Sequence, residues 1–301
     1  MKRVPILLTA LLAVGGSILT PVAVVGQAAP RIFISVDMEG IGGVGTPAMA
    51  SSSGKDYATA RRLMTDEVNA VVEAIFRAEP NADVLLNDSH GDHQNVLHTD
   101  LDPRVVYIQG SIKPLGMVQG LDGSFDGAIF LGYHAKAGDP DGFLAHTGSG
   151  SVKGLWLNGV EVGEGGMNAF FAGSHGVPVI LATGDAAATD ELGALLGSET
   201  VTTKTAETPS SARLLHPERV HELLAEGTTR ALQRLGDGDF SPYAASSPVT
   251  IRMRFATTIH VEVLQSIPGM TKVDGFTVEI RAGNADEAYR LIRLMYRFVS
   301  V

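Results

Sequence analysis

The segment Arg31-Ile32-Phe33-Ile34-Ser35-Val36-Asp37-Met38-Glu39-Gly40 decides how this chain is read. Its first six residues, R-I-F-I-S-V, form a short apolar, β-branched run with almost no polar side, the pattern of a strand buried on both faces. The run stops at two carboxylates, Asp37 and Glu39. Gly40, Gly42, Gly43 and Gly45 follow and allow a tight turn of the backbone.

Outward from this segment, strand and helix alternate. Tyr57 to Ala78 carries Leu63, Met64, Val68, Val71, Val72, Ile75 and Phe76 at helical spacing, and Pro80-Asn81 terminates it. Further buried strands are read at 83–87 (D-V-L-L-N), 105–109, 127–132 (G-A-I-F-L-G) and 177–183 (V-P-V-I-L-A-T). Asn158-Gly159 is a two-residue hairpin signal, and a helix is expected from Glu164 to Ser174. This alternation predicts an α/β fold, a mostly parallel sheet flanked by helices. The stretch 198–211 is rich in Thr, Ser and Pro and reads as a connection. Beyond it, a helix at 217–235, alternating segments at 249–255 and 276–280, and an amphipathic helix at 285–298 predict a smaller C-terminal α+β unit. The expected organisation is a signal peptide at 1–28, a metal-binding catalytic α/β domain at 30–205, and the α+β domain at 206–301.

The signal-peptide reading rests on order of composition. Lys2 and Arg3 precede an apolar run broken by Gly15, Gly16 and Pro21, and small residues follow at Gly26, Ala28 and Ala29. Cleavage would send the protein to the periplasm or outside the cell and leave it without a stable membrane insertion. The alternative is a retained anchor. Setting Lys2 and Arg3 aside leaves 21 of the 23 basic residues against 33 acidic ones, a net charge of −12. An acidic chain of that kind is a poor partner for nucleic acid. With 0 cysteines, disulfides are excluded and any transition metal must take nitrogen and oxygen ligands.

Ligands of open α/β sheets gather beyond the carboxyl ends of the strands. That rule collects scattered residues into one candidate site. Asp37 and Glu39 follow the first strand, His90 the second, His134 the fourth, and Glu164 opens the helix after the hairpin. Two carboxylates as close as Asp37 and Glu39 repel unless a cation lies between them. Two zinc ions would share Asp37 as a bridge, one also held by Glu39 and His90, the other by His134 and Glu164. Such a pair acts on a carbonyl and on its attacker together. Each piece alone has an ordinary reading: a solvated turn for Asp-x-Glu, a capped turn for Asp88-Ser89-His90, a structural histidine for His134, and an acid favoured by the helix dipole for Glu164. His93 and His98, in a polar loop, are read as solvated, with lining of the site as the alternative for either. Asp185 is read equally as a partner of the site or as a helix cap.

The ordered pieces Ser35-Val36-Asp37-Met38-Glu39-Gly40, Asn87-Asp88-Ser89-His90, Leu131-Gly132-Tyr133-His134-Ala135 and Val162-Gly163-Glu164 resemble the zinc D-aminopeptidase family of the DppA type, as do Lys113-Pro114 and Met117-Val118-Gln119-Gly120-Leu121-Asp122. The resemblance runs from about Ile32 to the end. It implies a dinuclear zinc site on Asp37, Glu39, His90, His134 and Glu164, and release of a small N-terminal D-amino acid from short peptides. It also implies a ring-like homo-oligomer, and a catalytic role for His146 in polarising the carbonyl or moving a proton. Departures stand beside it. The family's members are cytoplasmic, whereas this chain opens like an exported one. The stretch before His146 carries an extra residue, and Gly148-Ser149-Gly150 after it is small, which bears on the substrate pocket. Rival functions are another metal-dependent amide or ester hydrolase, or a non-catalytic exported peptide-binding protein.

Overall fold

A computed structural model of the chain describes Met1 and residues 29–243 and 246–297. Apart from Met1, the expected signal peptide lies outside the described residues. In chain order the elements begin with β1 (Arg31–Val36), α1 (Tyr57–Ala78), β2 (Asp83–Asp88), β3 (Val106–Ile108) and β4 (Gly127–Tyr133). They continue with β5 (Val152–Leu157), β6 (Val160–Glu161), α2 (Glu164–Ser174), β7 (Val179–Asp185), α3 (Ala186–Leu196), β8 (Glu199–Thr208), β9 (Ser211–Leu214) and α4 (Pro217–Gly236). The last are β10 (Val249–Phe255), α5 (Thr258–Leu264), β11 (Thr271–Lys272), β12 (Thr277–Ala282) and α6 (Ala285–Arg297).

The first sheet has the order β3-β2-β1-β4-β7-β8-β9, parallel except for the last strand. β1 lies inside the sheet between β2 and β4, and its side chains alternate between two apolar layers. Ile32, Ile34 and Val36 meet Met64, Val68, Val71 and Ile75 of α1 and Val220 and Leu224 of α4. Phe33 faces the other way, into a layer with Phe130, Phe170 and Phe171, the second sheet and α6. Burial on both faces explains why the run lacks an alternating polar pattern. The α/β class with a mostly parallel, helix-flanked sheet is therefore borne out.

Two expectations are corrected. The stretch 198–211 is no connection: β8 and β9 add two strands to the first sheet, with Leu181↔Glu199 through Asp185↔Lys204 in register beside β7. Threonines that read as loop composition are β-branched, and such side chains pack well on a pleated surface. The expected division at residue 205 does not separate the two sheets. The second sheet, β11-β12-β10-β5-β6, is antiparallel and takes β5 and β6 from before that point, while β9 and α4 after it belong to the first layer. Leu155 and Leu157 of β5 pair with Met253 and Ile251 of β10, which buries apolar side chains that the hairpin alone would expose.

The strand ends at the site approach one another closely. Gly40 N–H donates to Gly132 O at 2.8 Å, and a Cβ at Gly40 would overlap the Tyr133 carbonyl. Gly132 has φ +71, and a Cβ there would overlap Asp37 O. Glycine at these two positions lets the chain after β1 lie against the end of β4, which brings Asp37 beside His134.

Candidate metal centre

Asp37 and Glu39 leave the tip of β1, His90 follows β2, His134 follows β4, and Glu164 is the first residue of α2. All five are buried, from 2% exposed for Asp37 to 9% for His90. The five side chains read from the sequence thus meet at one place.

Their hydrogen bonds fix how they point. His90 Nε2–H donates to Ala50 O at 2.8 Å, so its Nδ1 presents a lone pair 2.9 Å from Glu39 Oε2 and 3.3 Å from Asp37 Oδ1. His134 Nδ1–H donates to Ala135 O at 3.0 Å. Its Nε2 lies 3.5 Å from Asp37 Oδ2 and 3.7 Å from Glu164 Oε1, and no hydrogen-bond partner meets it among the described residues. His146 repeats the pattern: Nδ1–H donates to Leu144 O at 2.9 Å, and Nε2 stands 3.5 Å from Glu164 Oε1. The rings of His134 and His146 stack with centroids 4.0 Å apart.

Nitrogen lone pairs aimed at buried carboxylate oxygens are unfavourable unless a proton or a cation lies between them. Charge states follow accordingly. Burial, reinforced by Glu39, pushes the Asp37 carboxyl up to about 7. Burial works against the charge on His134, yet Glu164, Asp37 and Glu39 outweigh it and raise the imidazole to about 9. Burial likewise opposes His90, but Glu39 and Asp37 hold it well above its ordinary value. Burial alone would raise Glu39, and His90 instead draws it well below the usual carboxylate range. The protein groups attract positive charge to the space between them. Histidines whose far nitrogens are tied to carbonyls are arranged as metal ligands commonly are, and a nitrogen and oxygen donor set without thiolate suits zinc. Ligand atoms of Asp37, Glu39 and His134 form one group within 4.8 Å of one another, and those of His134, His146 and Glu164 form a second.

The surroundings hold residues that sequence reasoning missed. Lys204 of β8, 2% exposed, donates from Nζ to the carbonyls of Glu39, Ile41 (2.9 Å) and Val44 (2.6 Å), clamping the glycine-rich loop. Glu67 of α1 accepts from Gly42 N at 2.7 Å on the same loop. The β-branched run Thr200-Val201-Thr202-Thr203 was the available signal, and it was hidden by reading the stretch as a connection. His93 is also corrected: it is 4% exposed rather than solvated, lines the cavity, and donates from Nδ1 to Asp88 O at 2.8 Å. Burial and nearby Lys113 lower it to about 4, so it is neutral. His98 is exposed, as expected, and stacks on Tyr107. Asp185 stands at the start of α3 without capping it; its Oδ2 accepts from Phe143 N at 3.0 Å and so fixes the loop that leads to His146.

The cavity in front of these groups is about 140 Å³ and is bounded by Asp37, Glu39, His90, His146 and Glu164, with Arg293 on another side. A model of the D-aminopeptidase peptidase family matches residues 31–294. The chain belongs to the D-aminopeptidase family. It is 34% identical to the D-aminopeptidase of Bacillus subtilis (strain 168) over 267 residues, 88% of this chain and 96% of that one. Its fold matches the Zn-dependent D-aminopeptidase DppA from Bacillus subtilis, a self-compartmentalizing protease. The TM-score is 0.86 at 33% identity, covering 90% of this chain and 99% of that chain. Family membership makes this chain a metallopeptidase hydrolase, as the resemblance in its motifs implied.

Proposed function

We propose that this chain is a dinuclear zinc aminopeptidase that releases small D-amino acids from the amino ends of short peptides. The observation that carries the reading is the split of Asp37: Oδ1 faces His90, whose Nδ1 also meets Glu39, and Oδ2 faces His134, which also meets Glu164. Asp37, Glu39 and His90 would hold one ion, and Asp37, His134 and Glu164 the other. When bound, zinc supplies Lewis-acid polarisation of the scissile carbonyl and lowers the pKa of the attacking water.

The chain's own residues do the rest. Ala50 O and Ala135 O hold His90 and His134 in the orientation their bare nitrogens require. His146, at the open side of the cavity with Nδ1–H fixed on Leu144 O, offers Nε2 to move a proton to the leaving amine. A cavity of about 140 Å³ is smaller than the ~300–1,000 Å³ of ordinary ligand pockets, in keeping with small substrates.

The enzyme is exported to the periplasm or secreted, a reading supported by the composition of residues 1–28. No helix among the described residues is long and apolar enough to cross a membrane. It assembles as a homo-oligomer enclosing its sites, supported by the self-compartmentalizing relative. The test is release of D-alanine from D-alanyl-D-alanine by zinc-loaded protein, with L-alanyl peptides alongside. Failure to cleave any D- or L-amino-terminal peptide would sink the proposal.

A further inference from the structure

Arg293 of α6 borders the same cavity as the metal-site residues. It is 5% exposed, and among the described residues no carboxylate pairs with it. Its Nη1 donates to Tyr296 OH at 3.0 Å and its Nη2 to Lys113 O at 2.9 Å. A guanidinium carries five N–H donors, so most of its capacity is unspent, and Nε has no partner. A buried arginine without a counter-charge is costly and rare. Lys113, 6% exposed, adds a second buried cation, donating only to Asn87 Oδ1 and Asp88 O. Arg297, exposed on the last turn of α6, stands at the cavity mouth.

The arginine is held in place by contacts that lead back to the metal site. A Cβ at Gly116 would occupy the position of the guanidinium, and a Cβ at Gly148 would overlap the Tyr296 ring. Gly148 N–H donates to Glu164 Oε1 at 2.5 Å. The small residues after His146 therefore make room for Tyr296, which carries Arg293. The cavity thus sets an arginine with no hydrogen-bonded carboxylate beside the side chains of the metal site.

A short peptide carries the group that matches this arginine, a free carboxylate at its C-terminal end. With ~3.5 Å of extended chain per residue, the two ends of a dipeptide lie about 7 Å apart, and each added residue moves the carboxylate outward by that step.

We propose that Arg293, assisted at the mouth by Arg297, binds the free C-terminal carboxylate of the substrate, which makes dipeptides the preferred substrate class. This rests on the aminopeptidase reading and adds to it a specificity determinant. Arginine suits the role because its planar fork pairs with a carboxylate through parallel hydrogen bonds.

The experiment compares kcat/KM of the zinc enzyme for D-alanyl-D-alanine, its C-terminal carboxamide and the D-alanyl tripeptide. The free dipeptide should exceed its carboxamide by roughly tenfold or more, and should exceed the tripeptide. In Arg293→Gln the ratio of acid to carboxamide should fall towards one, and in Arg297→Gln, an exposed position that tolerates substitution, it should fall partway. If Arg293→Gln does not fold, the wild-type ratio and Arg297→Gln still decide. Equal turnover of acid and carboxamide by the wild-type enzyme, or an unchanged ratio in a folded Arg293→Gln, overturns the proposal. A second arm needs no turnover: calorimetric titration with the reduced-amide isostere of the dipeptide, as free acid and as carboxamide. Tighter binding of the acid supports the arginine's role even if nothing is cleaved, a result that would reject only the aminopeptidase reading. Equal binding of both rejects the arginine's role alone.

Discussion

Lys204→Met removes the clamp beneath the glycine-rich loop that starts at Glu39. The ammonium is 2% exposed and donates to three carbonyls, those of Glu39, Ile41 and Val44. Each carbonyl left without a partner costs about 1–3 kcal/mol. Removing a buried charge returns part of that, since the ammonium no longer has to be desolvated. Taking about 1 kcal/mol net for each carbonyl, the variant loses about 3 kcal/mol of stability. For a chain of this size that is about 2–4 °C per kcal/mol, or about 6–12 °C in Tm. The effect on function is separate: Glu39 rides on the clamped loop, and residues that orient metal ligands are typically worth 10–100-fold in metal affinity. Scanning calorimetry of the metal-stripped protein measures the first quantity, and competition with a zinc chelator measures the second. A Tm within a degree of wild type together with unchanged zinc affinity would refute the argument.

Four further outcomes follow from the same geometry. His146→Ala should lower kcat by about 10²–10⁴-fold while zinc content, measured on the same sample, stays at the wild-type level. Glu164→Gln should lower both zinc content and activity, because His134 and His146 both lean on Oε1; a full zinc complement would count against its role as a ligand. Chelation followed by dialysis should abolish activity and lower Tm, with both restored by zinc, since a ligand that binds only the folded state stabilises it by mass action. Glu67 sets a pH dependence. Burial raises its carboxyl to about 8, above its unfolded value, so its contribution to stability is full at acidic pH and is lost as pH rises towards 8. Glu67→Gln, which mimics the protonated acid, should gain stability relative to wild type by a few kcal/mol (about 1.4 per pH unit at most) as pH rises from 5 to 8, as read by urea denaturation. A difference that does not vary with pH would contradict the assignment.

The legible part of this protein was the part written locally. Arg31–Val36 announced a strand buried on both faces, and it proved to be an interior strand of the parallel sheet. Asp37, Glu39, His90, His134 and Glu164 could be gathered because α/β sheets place ligands past their strand ends, and their side chains do meet. What escaped depended on distant partners. β5 pairs with β10 almost a hundred residues later, and no local pattern marks that choice, so the division expected at 205 does not coincide with the split between the sheets. Glu199–Thr208 escaped because threonine serves loops and strands alike, and only the neighbouring β7 decides which. Lys204 and Arg293 escaped because a lone cation in sequence reads as surface; their burial becomes visible only in three dimensions. His93 was misjudged for the same reason, since its polar loop folds back over Asp88.

The account turns on Asp37 facing two sites at once. Elemental analysis of wild type and Asp37→Asn, purified with zinc and freed of excess metal, tests this directly. Two zinc ions per chain in wild type, with both lost or loosened in the variant, is the predicted result. One ion per chain in wild type, or one ion kept at full affinity by Asp37→Asn, would contradict it.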